Sequence, residues 1–318
     1  MLTPLDPSLP VADRSLAALA RTRALGLHTL GHFGGVTGRS DRPGGSALEL
    51  TPPTWSANGA ATSYAETAML VDLTLGSAIR SALGPGLRLS TINLTIDHLR
   101  PASAGPLSAT ADADWIEPEE LTGLGRVAVV DSSGQKVAVA AGWFVALPAP
   151  TDRPLPPVPW EADTITVPAL TLAELGDDER EIHDELLAAA ARAESRGESV
   201  LHALTAPPPD LTGVRRTDDE LAYPLPTGPS LGNRVRQVQG GALYGAAASA
   251  AAVLAGTEWD VTSGHVQFLR PVSAPQVDVR ARTLRRGRRA MFVEVDLGSE
   301  GRTALTGRFT LRRSSRDG

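Results

Sequence analysis

The sequence predicts an α+β fold built twice in tandem, each copy an antiparallel sheet wrapped around one central helix. Two long apolar segments carry this reading, "SYAETAMLVDLTLGSAI" at 63–79 and "QVQGGALYGAAASAAAVLAG" at 237–256. Each is preceded by a short strand-like run and followed by several more, with turn residues between them. The third observation is a repeat at near-constant spacing. "HLRP" at 98–101 meets "FLRP" at 268–271, and "DSSGQKVAVAAGWF" meets "LGSEGRTALTGRF", with Gly134 and Gly301 as matching turn residues. A recurrence of this size marks a duplicated unit.

The elements follow in order. Residues 12–30 have a helical pattern, and the glycine-rich stretch 31–45 reads as a loop. "SALEL" at 46–50 suits a short strand, which "TPPTWSANG" breaks. The apolar segment 64–83 is a helix ended by "GPG" at 84–86. Strand-like runs follow at 90–101, 107–117 and 125–147, the last with its own turn at "DSSG". The segment 148–170 is proline-rich and reads as a linker or an extended strap. Residues 172–200 form a charged amphipathic helix or helix pair whose charges face water. The order then recurs: a strand at 220–225, a helix at 241–255, and strands over 262–271 and 276–313. The predicted organisation is a first domain over 1–147 that includes the N-terminal helix, a linker and amphipathic helix over 148–204, and a second domain over 205–318.

Composition excludes several functions. Of 318 residues, 42% are apolar, enough for a sizeable core, and only 4% are aromatic, so that core rests on Ala, Val and Leu. The formal net charge of −6 argues against nucleic acid as a partner, since phosphate-backbone binding needs a basic surface. With no cysteine there is no disulfide, thiolate metal site or Cys nucleophile. The N-terminus lacks the basic-then-apolar pattern of a signal peptide, and the Ala-rich run 240–256 is too short and weakly hydrophobic to span a bilayer. A soluble cytoplasmic protein is expected. His28 and His32 share a possible helix face, but no carboxylate stands beside them at ligand spacing, so no metal site is expected. There is no nucleophile elbow, phosphate loop or dinucleotide fingerprint.

The pattern T-x-x-L-x-I-x-x-L-R-P, from Thr91 to Pro101, together with the strand–helix–sheet order, resembles hotdog-fold acyl-CoA thioesterases of the phenylacetate-pathway and 4-hydroxybenzoyl-CoA type. The resemblance covers 46–147 and 220–313 and implies a tandem double hotdog. It implies a site shared between two units. One unit supplies an Asn and a His-Gly-Gly turn opening its helix, and the other supplies a carboxylate from mid-helix. Gln239-Gly240-Gly241 resembles that turn with Gln in place of His, and Asn233 lies six residues before it. The acid position of this half holds Ala248. In the first half "AMLVDLTLG" places Asp72 at the acid position, while Ser63-Tyr64-Ala65 replaces the turn and Asn58 roughly matches Asn233. The losses are complementary. Asp72 facing Asn233, Gln239 and Gly240 makes one complete site, and Ala248 facing Ser63–Ala65 makes a dead one. Ser90 or Thr91 resembles the assisting hydroxyl, and the alignment leaves both open.

The chemistry wants these groups. A thioester carbonyl under attack by water gains negative charge on oxygen, and fixed backbone N–H groups stabilise it. A helix start offers unpaired N–H groups and a positive dipole end, and glycine lets a ligand approach closely. A carboxylate kept in an apolar helix can act as a general base or attack the carbonyl directly. Gly241 and the arginines of "RTLRRGRRA", Arg285, Arg286 and Arg288, are the expected contacts to coenzyme A, whose phosphates suit forked guanidinium donors. A solvated hairpin is the plainer reading of that cluster. The expected function is hydrolysis of acyl-CoA, with coenzyme A entering only as part of the substrate. A non-catalytic acyl-CoA or lipid-binding protein is the alternative. The resemblance implies a double unit that can function alone or pair further, through its sheets, into a homo-oligomer.

Overall fold

A computed structural model of the chain describes residues 4–25, 28–39, 43–56, 63–84, 87–148, 167–207, 213–233 and 235–314. Asn58 and most of the proline-rich segment, 149–166, lie outside the described residues.

The N-terminal helix differs from expectation. It is two helices, α1 (Val11–Leu25) and α2 (Thr29–Phe33). The break is stabilised at His28, whose Nδ1 accepts the Gly31 N–H at 2.9 Å and so caps α2. The stretch read as a glycine-rich loop holds the end of α2 and a strand, β1 (Val36–Arg39), which pairs antiparallel with β2 (Gly45–Leu50). The buried Arg14 guanidinium fastens α1 to the body by donating to the carbonyls of Phe33, Asp6 and Thr51.

The first central helix, α3, runs Tyr64–Leu83. Ser63 caps it, Glu66 returning a bond to the Ser63 N–H, so both orphan donors are met by local side chains. Four strands follow: β3 (Leu87–His98), β4 (Leu107–Glu117), β5 (Thr122–Val130) and β6 (Lys136–Pro148). The charged segment is a helix pair, α4 (Asp177–Arg196) and α5 (Val200–Thr205). The repeat continues with β7 (Arg215–Arg216), β8 (Glu220–Pro226), the central helix α6 (Gly240–Ala255), β9 (Trp259–Phe268), β10 (Gln276–Arg286), β11 (Ala290–Ser299) and β12 (Arg302–Arg313).

The two expected sheets join edge to edge into one of twelve strands, ordered β1-β2-β4-β5-β6-β3-β9-β12-β11-β10-β8-β7. The seam is the antiparallel pair β3–β9, with Thr95 opposite His265. These two residues are 170 apart, the spacing of the repeated LRP landmark, so a pseudo-two-fold axis passes through their pair. Each half carries a bulge next to the seam at matching places, between Thr91 and Asn93 on β3 and between Thr310 and Leu311 opposite β9.

Each half of the sheet covers its own central helix, and the two helices pack on each other. They approach closely because α6 presents glycine there. A Cβ on Gly241 would lie 2.5 Å from Met69 Cα, and one on Gly245 2.5 Å from Ala65 Cβ. This contact sets the start of α6 beside the middle of α3, which positions the site. Among the described residues no helix is long and apolar enough to cross a membrane.

Candidate active site

Asp72 sits in the middle of α3, in a run that is otherwise almost wholly apolar, and is 8% exposed. A buried carboxylate is tolerated only when donors meet it, and three do so. Thr91 Oγ1 donates to Oδ1 at 2.8 Å. Gln239 Nε2 donates to Oδ2 at 2.6 Å, and the Gly241 N–H to the same oxygen at 3.3 Å. Two of the three donors come from the other half of the chain. Burial pushes the Asp72 carboxyl up to about 6, against the pull of the Thr91 hydroxyl and the Gly241 amide.

Gln239 explains why an amide serves at the mouth of this helix. It is the N-cap of α6, and its Oε1 accepts the Ala242 N–H at 2.8 Å while its Nε2 faces the carboxylate. An amide is at once acceptor and donor, so one side chain both caps the helix and holds Asp72. The two partners also fix which end is oxygen, because Ala242 offers a proton and Asp72 accepts one.

The two glycines have different tasks. Gly241 permits the helix contact and gives its N–H to Asp72. Gly240 opens the floor of the site: a Cβ there would lie 3.1 Å from Asp72 Oδ2 and 3.3 Å from Thr91 Oγ1. As the first residue of α6, Gly240 has no intrahelical acceptor for its N–H.

Asp72, Ser90, Thr91, Asn233, Gln239 and Gly240 line one cavity of about 420 Å³. Thr91, not Ser90, is the hydroxyl on the carboxylate, and Ser90 stands exposed on the wall. Asn233 Oδ1 is engaged in its own loop, accepting from the N–H groups of Val235 and Gln237 at 3.0 and 3.1 Å, so only its Nδ2 is left for the cavity. Leu73, Leu89, Phe144, Leu243 and Phe268 give the wall an apolar part. Arg285, Arg286 and Arg288 are absent from the lining. They belong to the β10–β11 hairpin, where Arg286 donates to the Asp218 carbonyl. The arginines that do line the cavity are Arg80, Arg88 and Arg270. Sequence reasoning passed over them because single arginines give no cluster signal. The one available hint was that Arg270 belongs to the repeated LRP landmark.

Among the described residues, the matching place in the other copy has lost the acid, the amide, the open glycine and the hydroxyl. Ala248, fully buried, stands for Asp72, Ser63 for Gln239 and Tyr64 for Gly240. The aligned bulges put Val261 in place of Thr91. The Tyr64 hydroxyl accepts the Val261 N–H at 3.1 Å, filling space that glycine leaves open in the first cavity.

Residues 233–312 match the family model for the acyl-CoA thioesterase N-terminal domain, a stretch that contains Gln239, Gly240 and Gly241 but not Asp72 or Thr91. The whole chain has the hotdog fold of solved structures. A Lactobacillus plantarum protein provisionally assigned as an oleoyl thioesterase aligns over 85% of this chain and 96% of its own, at TM-score 0.55 and 11% identity. The 12:0-ACP thioesterase of Umbellularia californica aligns over 85% and 94%, at TM-score 0.52 and 10% identity. A hotdog-fold protein of unknown function from Alicyclobacillus acidocaldarius aligns over 88% and 96%, at TM-score 0.51 and 11% identity. At such identities the likeness is one of fold, and function must be argued from the site. No curated protein matches the sequence significantly.

Proposed function

We propose that the chain hydrolyses acyl-CoA thioesters at a single site formed between its two hotdog halves, residues 1–147 and 205–318, with 148–204 joining them. One observation carries the reading. Among the described residues, the one carboxylate on the cavity wall comes from α3 and is held by Gln239 and Gly241 of α6.

Asp72 Oδ2 takes two hydrogen bonds and Oδ1 one, so the spare lone pair is on Oδ1. That lone pair takes a proton from water as the water oxygen attacks the thioester carbonyl carbon. A base that titrates near neutrality suits this task. Negative charge gathers on the carbonyl oxygen, which the free N–H of Gly240 meets in the space a side chain would fill. Collapse breaks the C–S bond, and the proton on Asp72 passes to the departing thiolate. Thr91 and Gln239 hold the carboxylate in place, and Asn233 Nδ2 orients the carbonyl or the water. The acyl group lies along Leu73, Leu89, Phe144 and Leu243. Arg88 and Arg270 meet the phosphates of coenzyme A, which enters as part of the substrate.

Thiol release from a panel of acyl-CoA esters, followed with a thiol-reactive dye, tests this directly, since the chain has no cysteine to give background. Turnover in the wild type and its loss in Asp72→Asn support the reading. Binding of acyl-CoA without turnover anywhere in the panel overturns it and leaves a binding protein.

A further inference from the structure

The pseudo-two-fold axis generates a second cavity, of about 310 Å³, at the start of α3. Its acid, its amide and its hydroxyl have been replaced, yet it has not closed, and several of its lining positions have become polar. Thr67 stands where the first cavity has Leu243, and His98 where it has Phe268. Asp260 replaces Ser90, and opposite it Arg312 replaces Val145. One rim feature is kept in both copies: Arg100 matches Arg270 in the LRP landmark. At positions 67, 98 and 312 polar side chains have taken the place of apolar ones, and the rim arginine is retained.

The carboxylates of this cavity are engaged, but its two arginines form no ion pair among the described residues. Glu198 is offset by Arg196 at 3.8 Å and His202 at 3.9 Å, and Asp260 accepts from Ser314 Oγ at 2.6 Å. Arg100 bonds only to the neutral Gln135, and Arg312 has no ion pair among the described residues. A ring nitrogen adds to the set. The His98 ring packs edgewise on Tyr64, with centroids 4.9 Å apart, and its Nε2 has no hydrogen-bond partner. Two guanidinium groups suit a phosphate, which they bind with paired donors. Carboxylates on the same wall suit the hydroxyl or amino donors of the body that carries it.

We propose that this second cavity is a non-catalytic binding site for a small phosphorylated ligand of nucleotide type, with Arg100 and Arg312 on the phosphate. The proposal does not rest on the reaction at the first cavity.

The probe is adenosine 3′,5′-bisphosphate, titrated calorimetrically into the full chain, with adenosine as the control that lacks phosphate. Expected are saturable binding of the bisphosphate with one component that Arg312→Leu and Arg100→Leu each weaken at least tenfold, and retention of that component in Arg88→Leu, which removes only binding at the first cavity. Adenosine should not bind. Thioester turnover of Arg312→Leu without the nucleotide should equal that of the wild type, which also shows that the variant is folded. Arg312→Lys, which keeps the charge and loses the fork, should fall between wild type and Arg312→Leu. The proposal is overturned if the bisphosphate does not bind, if Arg88→Leu rather than Arg312→Leu abolishes binding, or if adenosine binds equally well.

Discussion

Asp72 is kept in a place that costs free energy, and its titration records the cost. Burial raises its carboxyl to about 6, above the ordinary carboxylate value. The folded chain therefore holds a proton on this group over a window in which the unfolded chain has lost it, between about pH 4 and pH 6. The sign follows: stability falls as pH rises through that window, by on the order of 3 kcal/mol for this group alone. The active form is the ionised one, so kcat/KM for acyl-CoA should rise with pH and level off above about 6, a profile that steady-state assays from pH 4.5 to 8 will show. Asp72→Asn should lose activity by roughly 10²–10⁴-fold, and with it the acid limb. The variant should also be at least as stable as the wild type at pH 8. The Asn oxygen can accept from Gln239 and Gly241, and the Thr91 hydroxyl can turn to accept from the Asn amide. Thermal unfolding at pH 5 and pH 8 checks both signs through the difference between the two proteins, which should move in favour of Asp72→Asn as pH rises, since the buried histidines titrate alike in both.

At the scale of the element, the first two glycines of α6 separate stability from activity. Gly240→Ala puts a methyl group 3.1 Å from Asp72 Oδ2, in the space proposed for the substrate oxygen, but against side-chain atoms that can give a little. It should fold normally and lose most of its kcat. Gly241→Ala puts a methyl group 2.5 Å from Met69 Cα and 2.6 Å from the Ala68 carbonyl, so backbone must move and α3 and α6 must part. It should lose about 1–3 kcal/mol of stability. Unfolding midpoints and kcat measured side by side should show opposite rank orders for the two variants. The same elements show what was legible beforehand. The span 64–83 for α3 and the entry of α6 at the glycines came directly from apolar runs ended by glycine. The pairing of Asp72 with Gln239 came from spacing measured against a family pattern. β1 did not show, because a four-residue edge strand takes its stability from the β2 ladder and not from its own residues. Thr91 could not be told from Ser90, because the choice depends on which face of a bulged strand turns inward. The arginine cluster at 285–288 lies off the cavity wall, and charge density marks a solvated turn as readily as a ligand site.

Over the whole molecule, duplication places two cavities about one axis, and one copy each of the acid, the amide, the open glycine and the hydroxyl survives. Restoring a single lost group should therefore not restore function. Ala248 is fully buried on α6, and its surroundings hold Val261 where the first site has Thr91, and Ser63 where it has Gln239. A carboxylate introduced by Ala248→Asp would find neither donor. It should cost the fold on the order of 3–5 kcal/mol as an uncompensated buried charge, and the cost should shrink at low pH, where the new acid is neutral. Turnover per chain should stay at the wild-type value, because Tyr64 still fills the second mouth and Asp72 is untouched. Denaturant titrations at pH 5 and pH 8, beside active-site titration with a slow thioester, measure both quantities on one preparation. A second equivalent of activity in Ala248→Asp would mean that the two mouths are interchangeable, contrary to an asymmetry written into at least four positions: 63, 64, 248 and 261.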